Sequence, residues 1–152
     1  MTAPPKPVEI LLVEDRAGDI RLVQEALKEC RLASHLSVVR DGEQALAFLN
    51  RRGAYQQCPR PALILLDFNL PRKSGREVLA AIKRDDHLRG IPVIVLSSST
   101  QSTEIARAYD LHANCFIPKP SNLQELVNIG RQIESFWLST AVLAAAATVV
   151  HH

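Results

Sequence analysis

Apolar positions fall along this chain in two alternating rhythms. Val8 to Val13 (VEILLV) is a short run rich in branched residues that ends in Glu14-Asp15 and fits a buried strand. From Asp19 the apolar residues Ile20, Val23, Ala26, Leu27 and Cys30 recur at three- and four-residue steps, the period of an amphipathic helix. Leu36 to Arg40 reads as a second, weaker strand, and Glu43 to Arg51, with Ala45, Leu46 and Leu49, as a second helix. Gly53 to Pro61 holds one glycine and two prolines and reads as a loop.

The alternation continues to the end of the chain. Ala62 to Leu66 (ALILL), ended by Asp67, is the most apolar strand and is expected at the centre of the sheet. Ser74 to Lys83 carries Val78, Leu79 and Ile82 on one side and predicts a third helix; Gly90-Ile91-Pro92 leads into a fourth strand, Val93 to Leu96. Ser102 to Leu111 predicts helix four, Asn114 to Pro118 a short fifth strand, and Leu123 onward a long last helix through Phe136 and Trp137. Five strand-then-helix units with near-continuous apolar strands imply an α/β fold whose parallel sheet is covered on both faces. In such sheets ligands bind beyond the carboxyl ends of the strands, where the strand order reverses.

Composition narrows the class without naming a partner. With 152 residues, 47% of them apolar and 22% charged, the chain suits one domain, read here as residues 8–138 between an arm at 1–7 and an extension at 139–152. Three cysteines (Cys30, Cys58, Cys115) with no C-x-x-C pair indicate neither a disulfide framework nor a zinc site, and a reduced, cytoplasmic setting is expected. Met1 to Pro7 has three prolines and no apolar run, unlike a signal peptide. A net charge of +2 gives no pull toward nucleic acid.

Candidate chemistry lies at the strand ends. Strand one ends with Glu14-Asp15, strand three with Asp67-Phe68-Asn69, strand four with Ser97-Ser98-Ser99 and strand five with Pro118-Lys119-Pro120. Any one of these is ordinarily a solvated loop residue or a helix cap; four at converging tips are a constellation. Carboxylates crowded within a few ångströms raise one another's pKa, so a cation is required. Oxygen donors select a hard ion such as Mg²⁺, whose shell is commonly completed by phosphate oxygens. The lysine supplies a point charge and the serine a hydroxyl for an anion, and a phosphoryl group on Asp67 fits that role.

The segments ILLVED, ILLDFNLP, IPVIVLS and FIPKP, spread over residues 8 to 136, resemble the receiver domain of two-component response regulators. The resemblance implies the flavodoxin-like (CheY-like) doubly wound fold, a five-stranded parallel sheet of order 2-1-3-4-5. It implies that Asp67 accepts a phosphoryl group, that Asp15, Asp67 and the carbonyl of Asn69 hold Mg²⁺ with Glu14 acting through a water, and that Ser97 and Lys119 grip the phosphoryl oxygens. The intervals of 30 residues from Asp67 to Ser97 and 22 from Ser97 to Lys119 are similar to those of chemotaxis-type receivers. Pro71 and Gly75 also sit where the family places a turn and a helix start. The chain departs from the common pattern at Glu14, where most receivers carry aspartate, at Ser98, usually alanine, and at Phe116, usually tyrosine. Phe116, lacking a hydroxyl that prefers water, is expected to accept a buried rotamer readily. Ser97 and Phe116 are then the expected switch pair, and by resemblance the Lys119-Pro120 bond is expected cis.

YDLHANCFI (Tyr109 to Ile117) and IESFWLST (Ile133 to Thr140) are similar to the small response regulators paired with bacterial and cyanobacterial phytochromes, so the expected kinase partner is a phytochrome-type histidine kinase. Only 15 residues follow Trp137, too few for an effector domain, so output is expected through another protein or through self-assembly. The last helix places Leu123, Leu126, Val127, Gly130 and Trp137 toward the sheet, while Ile129, Ile133, Phe136 and Leu143 widen the apolar arc to one side. A homodimer seam is the expectation there. The tail Ala141 to Val150 is too short to span a bilayer, His151-His152 are set aside as a possible tag remnant, and His35, His87 and His112 read as surface or capping residues.

Other readings fit less well. A flavin carrier of the same topology needs a Ser/Thr/Gly-rich phosphate loop after strand one, where Glu14-Asp15 would repel the phosphate. A haloacid-dehalogenase-type phosphatase needs a general acid two residues past its aspartate, and Asn69 stands there. No G-x-x-x-x-G-K-[ST] or G-x-G-x-x-G occurs. A receiver-fold docking module that works without phosphorylation is the remaining alternative.

Overall fold

The computed structural model describes residues 7–30, 33–98, 101–120 and 122–135. Ser99, Phe136, Trp137, Leu143, the apolar tail and the two terminal histidines lie outside the described residues. The chain runs β1 (Val8–Val13), α1 (Ala17–Lys28), β2 (Ser34–Val39), α2 (Gly42–Leu49), β3 (Leu63–Asp67), α3 (Gly75–Arg84), β4 (Val93–Ser97), α4 (Ser102–Asp110), β5 (Cys115–Pro118) and α5 (Leu123–Ile133), with one 3₁₀ turn, Gly53–Tyr55, in the expected loop. The strands form one parallel sheet in the order β2-β1-β3-β4-β5. Both the class and the strand order are those expected.

Alternation along each strand divides the core in two, because successive side chains leave opposite faces. Leu11, Val13, Ile64 and Leu66 pack with Phe48 of α2, with Val78, Leu79 and Ile82 of α3 and with Ala108 of α4. Ile10, Leu12, Leu63 and Leu65 pack with Val23 and Ala26 of α1 and with Leu126 and Val127 of α5. β3 and β4 are buried at every position, whereas the edge strands β2 and β5 are only partly covered. Side-chain caps start three helices: Asp41 accepts the Gln44 N–H at 2.8 Å, Ser74 that of Glu77 at 3.3 Å, and Asn122 that of Glu125 at 2.9 Å.

Element ends shift where pairing rather than hydrophobicity decides. β2 starts at Ser34 because that residue pairs with Val8, ahead of its first strongly apolar position. β3 and β4 run one residue further than their apolar runs, through Asp67 and Ser97, since Asp67 stays in register with Leu96 and Ser97 with Pro118. Leu123, expected to face the sheet, is exposed; as the first residue of α5 it precedes the turn in which Leu126 and Val127 are buried. No cis peptide bond occurs among the described residues, so Lys119–Pro120 is trans, against expectation. Trans is the form X–Pro bonds intrinsically favour, by about 0.5–1 kcal/mol.

One glycine fixes the tip of β3. A Cβ at Gly75 would lie 2.4 Å from the Asp67 carbonyl oxygen and 2.5 Å from the Phe68 Cα, and the Gly75 N–H donates to the Phe68 carbonyl at 3.1 Å. α3 therefore begins directly against the turn that carries Asp67. Gly75→Ala is expected to destabilise the protein by about 1–3 kcal/mol through overpacking, read by urea denaturation. Gly18→Ala, at a helical position with nothing within 4 Å, is the control and is expected to be neutral or slightly stabilising.

Candidate functional site

The carboxyl ends of β1, β3, β4 and β5 enclose an acidic cup. Glu14 extends the β1–β2 ladder through its N–H to the Val39 carbonyl at 3.0 Å, which sets its side chain inward. Its Oε2 accepts from the N–H groups of Asp15 at 2.9 Å and Arg16 at 3.3 Å, and its Oε1 meets Lys119 Nζ at 2.5 Å. Asp67 Oδ1 accepts the Asn69 N–H at 3.1 Å, and its Oδ2 stands 3.4 Å from the same Nζ. Lys119 is in turn tied to β4, its N–H donating to the Ser97 carbonyl at 2.8 Å.

Burial makes these contacts consequential. Glu14 is 2% exposed, Asp67 3% and Ser97 0%. Burial pushes the Glu14 carboxyl up to about 7, the hydrogen bond to Lys119 only partly offsetting it while Asp67 adds to the rise. Burial alone would lower Lys119, but Glu14, Asp67 and Asp19 outweigh it and hold the ammonium above its ordinary range. The lysine therefore stays charged.

One oxygen of Glu14, one of Asp15 and one of Asp67 lie within 4.8 Å of one another. Asp15 Oδ1 is buried and has no hydrogen-bond partner among the described residues. A buried carboxylate oxygen without a donor is costly, and a cation held among these three carboxylates would satisfy it. An all-oxygen donor set suits a hard divalent ion such as Mg²⁺ or Mn²⁺. These residues fit a divalent metal.

The structure thus brings together Glu14, Asp15, Asp67, Ser97 and Lys119, and places Asn69, itself exposed, in the turn at the rim. Phe116 points into the core and packs edge-to-face on Phe68, ring centroids 6.4 Å apart at 77°. Two contributors were missed from the sequence. Asp19, in the first turn of α1, pairs with Lys119 Nζ at 3.0 Å; an acidic residue at a helix start was the signal available in the sequence. The Tyr109 hydroxyl of α4 accepts the Phe116 N–H at 3.1 Å, and no sequence feature announces that contact. Ile129 and Ile133 are half-buried and line a small apolar cavity of about 30 Å³ with Val23, Ala26 and Leu27 of α1. Part of the wide apolar arc of α5 is thereby explained: the helix covers α1 as well as the sheet.

A sequence model of the response regulator receiver domain matches residues 10–131. The chain belongs to that family. It is 51% identical over 140 residues to the response regulator Rcp1 of Synechocystis sp., covering 92% of this chain and 95% of that one. Among solved structures, the phosphorylated cyanobacterial phytochrome response regulator RcpA superposes with a TM-score of 0.87 at 52% identity, over 91% of this chain and 99% of RcpA. The Mn²⁺-bound form of Rcp1 gives 0.84 at 50% identity, over 90% and 99%. The chain is accordingly a receiver-domain response regulator similar to Rcp1 and RcpA. No helix among the described residues is long and apolar enough to cross a membrane.

The Glu14 carboxyl sets a pH dependence for the metal-free protein. Its value rises from 4.5 to about 7 on folding, so the folded state binds more protons between those values; the stabilising contribution is full below about 4.5 and is lost as pH rises through about 7. In EDTA, Glu14→Gln is expected to flatten the decline in unfolding free energy between pH 5 and pH 8. Saturating Mg²⁺ is expected to raise the melting temperature of the wild type at pH 8, and Asp15→Asn to abolish most of that rise. A parallel pH slope in wild type and Glu14→Gln would contradict the assignment.

Proposed function

We propose that this response regulator accepts a phosphoryl group on Asp67 from a phytochrome-type histidine kinase and passes the signal on through protein–protein contacts. The observation that carries the reading is Asp67 itself: a carboxylate buried at the end of the central strand, 3.4 Å from a lysine ammonium and grouped with an Asp15 oxygen that has no other partner.

In the proposed step an Asp67 oxygen attacks the phosphorus of a phosphohistidine. The P–N bond of a phosphohistidine protonated on its other ring nitrogen breaks, its electron pair stays on the nitrogen so that the leaving imidazole is neutral, and an acyl phosphate forms on Asp67. Phosphoryl transfer of this kind depends on positioning and charge neutralisation. Lys119 supplies a fixed positive charge beside the phosphoryl oxygens, and the Ser97 hydroxyl a donor from β4. Glu14, Asp15, Asp67 and the Asn69 carbonyl would hold Mg²⁺, which when bound neutralises charge on the transferred group. Gly75 keeps the Asp67 turn close to α3 and so limits its freedom to move.

Signal output is assigned to the α4–β5–α5 face. Asp67 is followed by Phe68, which packs on Phe116, and the Phe116 N–H is held by Tyr109 of the exposed α4 surface. A change in Ser97 and Phe116 on phosphorylation would be felt along that contiguous set. Self-association over Ile129, Ile133, Phe136 and Leu143 belongs to the same proposal, with sedimentation of the phosphorylated and unmodified protein as its measure.

Incubation with Mg²⁺ and acetyl phosphate followed by intact mass spectrometry tests the reading. Wild type is expected to gain one phosphoryl group, Asp67→Asn none, and Lys119→Ala to be labelled about a hundredfold more slowly, the scale for removing one group that stabilises transition-state charge. Labelling of Asp67→Asn at another side chain would overturn it. Absence of labelling in wild type, together with unchanged partner binding by Asp67→Asn, would favour a docking module that works without phosphorylation.

A further inference from the structure

Asp19 is a fourth carboxylate at the cup, and it stands apart from the three that group as metal donors. It meets the site through Lys119, whose Nζ lies 2.5 Å from Glu14, 3.0 Å from Asp19 and 3.4 Å from Asp67. An ammonium has three N–H donors, and here three carboxylates stand around it. The two shorter contacts, to Glu14 and Asp19, are hydrogen bonds; the longest is to the carboxylate expected to react. Exposure follows a gradient: the side chains of Glu14 and Asp67 are 3% and 4% exposed, Lys119 14% and Asp19 33%. Asp19 is therefore the most exposed of the four charged groups around this ammonium.

We propose that Asp19 is a positioning residue that holds the Lys119 ammonium by a hydrogen bond and competes with the phosphoryl oxygens for it. The inference rests on Asp67 as phosphoacceptor. A phosphoryl group brings oxygens that need the same N–H donors, so capture of the anion requires Lys119 to exchange its Asp19 contact for one to phosphate. No covalent change at Asp19 is involved. Through that competition Asp19 lowers the affinity of the site for a phosphoryl group and thereby sets how readily the regulator is switched on.

The test is a calorimetric titration of beryllofluoride, a phosphoryl mimic, into the full chain at saturating Mg²⁺, for wild type, Asp19→Asn, Asp19→Glu, Lys119→Ala and the double variant Asp19→Asn/Lys119→Ala. Asp19→Asn is expected to tighten beryllofluoride about fivefold, the upper range for one partly exposed charge pair, and Asp19→Glu to restore wild-type affinity. Titration of Mg²⁺ alone is expected to give the same Kd for wild type and Asp19→Asn. In the Lys119→Ala background the Asn substitution is expected to have no effect, which a merely structural role in the first turn of α1 would not produce. The proposal is overturned if Asp19→Asn leaves beryllofluoride affinity unchanged or weaker, or if its effect persists without Lys119. Wild type that binds no beryllofluoride and takes no label on Asp67 would instead remove the phosphoacceptor reading, and this inference with it.

Discussion

The structure turns on keeping negative charge buried at one point. Two carboxylates from the ends of β1 and β3, Glu14 and Asp67, face one ammonium from the end of β5, and both are almost wholly out of water. Removing ionised groups from water costs several kcal/mol each unless they are paired. The pairing here spans most of the chain, since 105 residues separate Glu14 from Lys119. Neither residue has its partner until β3 and β4 lie between their strands. The acidic cup is therefore a product of the completed sheet, and local sequence around either residue cannot build it.

What makes the sheet reliable is ordinary hydrophobic patterning. β3 and β4 are buried on both faces, so they tolerate only apolar residues until their last positions. A polar residue at the end of such a strand costs little only where it finds charge or hydrogen-bond partners. Asp67 and Ser97 occupy those ends, and strand register brings their strands' tips together. Gly75 adds a steric condition, because α3 starts where any side chain would strike the Asp67 turn. Packing and chemistry meet at that residue.

Most of this architecture could be read from periodicity: five strands, five helices and the strand-end residues Glu14, Asp15, Asp67, Ser97 and Lys119 all stand where the alternation put them. Three features could not be read, each for its own reason. The first residue of α5, Leu123, fits the wheel but lies outside the contact that the wheel assumes. The apolar arc through Ile129 and Ile133 looked surplus because a helical wheel counts one neighbour, while α5 lies against both the sheet and α1. The Lys119–Pro120 isomer followed from resemblance, and resemblance carries no term for the local backbone energy that decides it. Asp19 is the instructive omission: it was read as a helix start, and the partner that ties it to the site, Lys119, stands 100 positions away in the sequence.

The distribution of exposure separates the fixed parts of the site from those able to respond. Glu14, Asp67 and Ser97 sit on strand ends, buried and held by backbone hydrogen bonds, so their positions follow the sheet. Lys119 and Asp19 are long or partly exposed side chains at the rim, one beyond β5 and one in the first turn of α1. A group whose charge is shared among several carboxylates can redistribute its contacts with little backbone movement. A rigid acceptor flanked by an adjustable counter-charge suits chemistry in which the acceptor gains charge and later loses it. It also means that changes at Lys119 and Asp19 alter the site's response to an anion, whereas changes at the strand ends alter whether there is a site at all.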